Sequence, residues 1–116
     1  MARPTALTPD VRTKICDAMR IGAYQVEAAR FAGIAENTLL GWLKAGRADI
    51  ADGDGESLHA RFAAEFEQAE AQAVVRALTV VQKAAAAGDW RAAMAWAARR
   101  HPGRWSERGA LDVRVE

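Results

Sequence analysis

The sequence predicts an all-α protein: an N-terminal helix-turn-helix domain followed by a long antiparallel helical hairpin. Apolar residues recur at three- and four-residue steps from Val11 to Ala97, the period of an amphipathic helix. These runs are punctuated by cap residues and glycines, among them Thr8, Gly22, Gly33, Ser57, Gly88 and Asp89, which start and stop helices. The composition agrees. Hydrophobic residues make up 51% of the 116-residue chain, and many are alanine, the best helix former but a poor source of buried area. The four tryptophans are therefore expected to supply much of the packing volume. The length suits one domain, or one small domain with an extension.

Each element follows from its own signals. Thr8-Pro9-Asp10 combines a hydroxyl N-cap, proline at the first helical position and an acid favourable to the helix dipole. It opens helix 1, about 9–21, in which Val11, Ile15, Ala18 and Met19 share one face. Helix 2 is expected from about Tyr24 to Ala32 and helix 3 from about Glu36 to Ala45, with Gly46 as its end. The acidic, glycine-bearing stretch RADIADGDGES (47–57) reads as a linker. Ser57 caps a long helix to about 87, with Leu58, Phe62, Phe66, Ala69, Ala73, Ala77 and Val81 as its stripe. Gly88 stops it, and Asp89 caps a last helix reaching about Arg100 before the Pro102-Gly103 turn. Residues 111–116, LDVRVE, alternate with a period of two and give a short C-terminal strand pattern. The domains are then 1–47 (helix-turn-helix), 48–56 (linker), 57–101 (hairpin) and 102–116 (tail).

The stretch AARFAGIAENTLLGWLKAGR (28–47) carries the functional signal. A helix-turn-helix needs a small residue where its helices approach, a glycine in the turn and apolar anchors after it. Ala29, Gly33 and Ile34 meet these needs, and Leu39, Trp42 and Leu43 fall on one face of helix 3. At about 100° per residue, Asn37, Gly41 and Lys44 form the opposite stripe, flanked by Thr38 and Leu40. Asn pairs with adenine through two hydrogen bonds, and Lys reaches guanine or a phosphate. Gly41 costs roughly 1 kcal/mol against alanine in a helix interior, and one use of that cost is close approach by another backbone. A structural hairpin that never touches DNA has the same outline. Glu36, at the start of helix 3, repels phosphate.

Charge and chemistry narrow the class further. The net charge of +1 conceals a basic head, an acidic middle and a basic tail: +3 over 1–47, −6 over 48–74 and +4 over 75–116. Basic segments suit a polyanion. The single cysteine, Cys16, excludes an internal disulfide and reads as a small hydrophobe in helix 1. His59 and His101 have no partners for a triad or a metal site. The acidic loop fails the calcium-loop pattern counted from Asp52, since position 6 is Ser57 and position 12 is Ala63. No phosphate loop or serine elbow appears, so neither an enzyme nor a cofactor is expected. No apolar run approaches the roughly 18 residues of a membrane span, and MARPTALTPD lacks a signal core. The expectation is a soluble protein of a reducing compartment with no membrane partner.

The 57–100 segment bears on assembly. Val75 and Val80 lie off the main stripe of the long helix, and Trp96 projects about 120° from the Trp90–Met94–Ala97 face. One hairpin cannot bury apolar residues on several faces. Either helices 1–3 fold back over the surplus or another copy covers it. The expected oligomerisation residues are Phe62, Phe66, Val74, Leu78, Val81, Trp90, Met94 and Trp96.

TPDVRTKICDAMRIGAYQVEAARFAGIAENTLLGWLKAGR, FAAEFEQAEAQAVVRAL and GDWRAAMAWAARRHPGRWSER together resemble the terminase small subunits of tailed bacteriophages and prophages, over about residues 4–108. The N-terminal part alone is shared with transposases and regulators; the combination is more specific. The resemblance implies a DNA-packaging recognition protein in the cytoplasm of a bacterial host. Its helix-turn-helix would bind double-stranded viral DNA, and its hairpin would assemble a homo-oligomeric ring of roughly eight to twelve subunits. A C-terminal segment would contact the ATP-hydrolysing terminase large subunit or add a strand to a barrel. The residues expected at DNA are Asn37, Thr38, Gly41 and Lys44, with Arg47 and Gln25 beside them. Ala35 stands where a family member often has serine. The alternatives are a dimeric helix-turn-helix transcriptional regulator on paired half-sites and an accessory module of a transposase. The second is disfavoured because no acidic catalytic domain follows.

Overall fold

The computed structural model describes residues 6–105, and these are all-helical: α1 (Pro9–Arg20), α2 (Gln25–Ala32), α3 (Glu36–Ala51), α4 (Leu58–Ala86), α5 (Trp90–Arg100) and the single-turn α6 (Pro102–Trp105). The strand pattern at 111–116 lies outside the described residues. None of the described helices is long and apolar enough to cross a membrane. The chain divides between Val74 and Val75 into two compact units. The division falls inside α4 and not at the expected linker.

In the first unit, α1 starts as its sequence dictates. The Val11 N–H donates to the Thr8 hydroxyl at 3.2 Å, satisfying one donor that the first turn leaves free. α1 packs on α2, and α2 on α3. Ile15, Cys16, Ala18 and Met19 of α1, Ala28 and Ala29 of α2, Leu39 and Leu43 of α3, and Phe62, Ala63, Phe66 and Ala69 of α4 form one core. Its largest fully buried side chains are Phe62, Phe66, Ile15, Leu39 and Leu43, each worth about 1.5–3 kcal/mol of transfer from water. Of the tryptophans, Trp42 packs against this core, with its ring edge-on to Phe62 at 6.2 Å. Phenylalanine and aliphatic side chains therefore fill the centre that the sequence assigned to tryptophan, and Trp90 is 68% exposed.

One helix boundary moves. Gly46 does not end α3, which continues to Ala51 through half of the expected linker, and Gly53, at φ +89°, follows the end. Gly46 is needed for a different reason: a Cβ there would collide with the His59 carbonyl oxygen and lie 2.8 Å from the Ala63 Cβ. Only a residue without a side chain lets α3 pass so close to the start of α4. Ser57 fixes that start. Its hydroxyl accepts from the Ala60 N–H at 3.0 Å and donates to Asp49 on α3 at 2.6 Å.

The second correction concerns Phe62 and Phe66. Both were expected to meet another copy, and both are 0% exposed inside the first unit. The stripe of the long helix thus serves two ends. Its N-terminal half covers α1–α3, because those helices alone offer too little bulk to close a core.

The second unit comprises α4 from Val75 onward, the turn at Ala87–Asp89, α5 and α6. The Asp89 carboxylate caps α5, accepting from the Arg91 and Ala92 N–H groups at 3.0 and 3.3 Å. No described residue of this unit is fully buried. Leu78, Val81 and Trp96 are half-buried, whereas Val75, Val80, Trp90, Met94 and Trp105 are exposed.

Candidate nucleic-acid interface

The candidate interface is built on α2, the turn and α3. α2 ends because Gly33 adopts the left-handed conformation, φ +82° and ψ 24°, which glycine enters without the steric cost of a Cβ. The Gly33 N–H donates to the Arg30 carbonyl at 3.0 Å and the Ile34 N–H to the Ala29 carbonyl at 2.9 Å. This pair of bonds, six-to-one and five-to-two, turns the chain out of α2 and tucks Ile34 against the core. α3 then begins after Ala35, whose extended backbone serves as cap with no side-chain bond.

Burial sorts the faces of α3. Leu39 and Leu43 are wholly buried and Trp42 is half-buried, which anchors the helix. Asn37, Gly41 and Lys44 are exposed, and Thr38 is half-buried beside them. The position a Cβ would take at Gly41 has no neighbouring atom within 4 Å, so this stripe is open to an approaching molecule. Leu40, which the sequence set beside this stripe, is also exposed here.

Two of the expected residues are in company that changes their chemistry. Arg47 is exposed, but its Nε lies 3.1 Å from a carboxylate oxygen of Glu67 on α4. An arginine already paired is a poorer phosphate ligand, since the new contact must compete with the old. Gln25 is half-buried in a shallow groove that it shares with Tyr24, Glu36 and Glu70, where two carboxylates oppose a phosphate. Glu67 was missed from the sequence because it lies twenty positions from Arg47, beyond the reach of any helical period. Arg30, exposed on α2, was passed over as well.

The remaining expected residues are those the sequence assigned to assembly. Val74, Trp90 and Met94 are exposed, and Leu78, Val81 and Trp96 are half-buried. Arg91 lies over the Trp90 ring, 5.5 Å from its centroid, and Trp96 meets His101 edge-on at 6.1 Å. In the first unit the Cys16 thiol is pushed up by burial and, secondarily, by the Glu65 carboxylate, against the opposing charges of Arg20 and Arg12. It is a packed hydrophobe there. Compared with known proteins, the chain matches no family model, no curated protein and no solved structure.

Proposed function

We propose that this chain is a non-enzymatic DNA-binding protein that assembles with copies of itself, and that it serves as a terminase small subunit in viral DNA packaging. The observation that carries the DNA-binding part is the division of α3. Asn37, Gly41 and Lys44 stand exposed on a helix whose opposite side, Leu39 and Leu43, is fixed in the core. A rigidly seated helix with an open polar stripe is what reading a groove requires.

Self-assembly is supported by the second unit, where no described side chain is fully buried while Val75, Val80, Trp90 and Met94 meet solvent. Apolar surface of this kind is characteristic of contacts between chains. A ring of several copies would raise the apparent affinity of each modest DNA-binding unit through effective concentration. The packaging role itself, with the large subunit as partner and the host cytoplasm as location, rests on the sequence resemblance.

Fluorescence anisotropy with labelled duplex DNA tests the α3 assignment. The double variant Asn37→Ala, Lys44→Gln is expected to lose sequence preference and to bind a preferred duplex more weakly while keeping its assembly. Unchanged binding would remove α3 from the interface. Native mass spectrometry of the purified chain tests the packaging role: a discrete closed ring supports it, whereas a dimer transfers the reading to a transcriptional regulator.

A further inference from the structure

The division of the chain redraws its charge map. Residues 1–74 hold eight Lys/Arg against eleven Asp/Glu, and residues 75–116 hold eight against four. The acidic segment therefore packs into the same unit as α2 and α3, and the unit that carries the candidate reading helix is net negative. Its cations are also largely engaged. Among the described residues, Arg12 pairs with Glu65, Lys14 with Asp10, Arg20 with Asp17 and Arg47 with Glu67. Arg30, Lys44 and Arg61 are what remains there.

The second unit is the reverse. Arg76, Lys83, Arg91, Arg99, Arg100 and Arg104 are all exposed, and none enters an ion pair among the described residues. Asp89 is the sole acid between 75 and 105, and its carboxylate is occupied in capping α5. Arg76 and Lys83 are seven positions apart on α4, on one solvent-facing stripe opposite the half-buried Leu78 and Val81. Trp90, under the Arg91 guanidinium, and Trp105, next to Arg104 in the chain, are exposed as well.

Sequence-independent affinity for DNA comes from cations that neutralise phosphates and release counterions. Among the described residues, three unpaired cations in an acidic unit supply little of it; six in a basic one supply much more. We infer that the second unit supplies phosphate-backbone contacts from its exposed cations, Arg76, Lys83, Arg91, Arg99, Arg100 and Arg104, and that these provide the salt-dependent part of DNA binding while α3 provides selectivity. This rests on the reading that the chain binds DNA. It assigns the second unit a direct role at the nucleic acid in addition to assembly.

The test is the slope of log affinity against log salt concentration for a short duplex of arbitrary sequence. Three full-length chains are compared: wild type, Arg99→Gln with Arg100→Gln, and Asn37→Ala with Lys44→Gln. Sedimentation of each chain without DNA is recorded in parallel. Loss of two phosphate contacts is expected to reduce the slope by about 1.8, at about 0.9 per contact, whereas the α3 variant loses at most about 0.9. A normal slope in the Arg99/Arg100 variant, together with lost binding in the α3 variant, overturns this inference and leaves the α3 reading intact. The converse pattern removes α3 and keeps the second-unit surface. An Arg99/Arg100 variant that loses assembly in the absence of DNA assigns these cations to the acidic unit of a second copy, and that also overturns the inference.

Discussion

Arg47 Nε lies 3.1 Å from a carboxylate oxygen of Glu67, joining the third helix to the fourth at the margin of the open α3 stripe. Both side chains are about half exposed, so the pair contributes little to stability, within about 1 kcal/mol. Its consequence is electrostatic. On the proposed reading, Glu67 sets a negative charge beside the DNA-facing stripe. Glu67→Gln is therefore expected to leave thermal unfolding nearly unchanged and to tighten duplex binding by less than about tenfold. An anisotropy titration at low salt checks it; weaker binding would mean that Glu67 positions Arg47 for DNA.

Gly46 sits where α3 passes the first turn of α4, with the His59 carbonyl and the Ala63 methyl against it. Gly46→Ala would normally gain helix propensity. Here the methyl meets a backbone carbonyl that cannot rotate away. We expect a loss of about 1–3 kcal/mol, as for other overpacked sites. Urea unfolding measures it, and a stabilised variant would show that the two helices separate without cost.

Phe62 and Trp90 were expected to act alike, and the structure separates them. Phe62→Ala leaves a cavity beneath Trp42 and Phe66 and should cost about 3–5 kcal/mol, a large share of a small domain's stability. Trp90→Ala should change unfolding by no more than about 0.5 kcal/mol and instead weaken assembly. Calorimetry beside sedimentation velocity distinguishes the two, and equal effects on unfolding would contradict the assignment.

Cys16 links stability to pH. Burial raises its folded pKa, so its contribution is fully present below the unfolded thiol's pKa, about 8.5, and is lost as pH rises through the higher folded value. The chain should therefore lose stability through the alkaline range more steeply than Cys16→Ala does. Chemical denaturation across that range tests the sign. A thiol reagent at neutral pH should modify Cys16 only after unfolding, because the thiol is protonated and enclosed.

Much of the helical order was legible because its causes are local. Thr8 and Asp89 cap helices through bonds two or three residues away, and the left-handed Gly33 ends α2 within its own turn. The open stripe Asn37–Gly41–Lys44 followed from the helical period once Leu39 and Leu43 were placed inside. Gly46 misled because a glycine that ends a helix and one that admits a neighbour look the same in sequence. The Glu67 partner of Arg47 and the burial of Phe62 and Phe66 were equally out of reach.

What the sequence alone determined is therefore the helices, their caps and the polar face of α3, all products of interactions spanning a few residues. Tertiary structure decided which half of the long helix covers α1–α3, which cations are already paired and where the chain divides. Those outcomes depend on residues far apart in the chain competing for one core, and no local period records which of them wins.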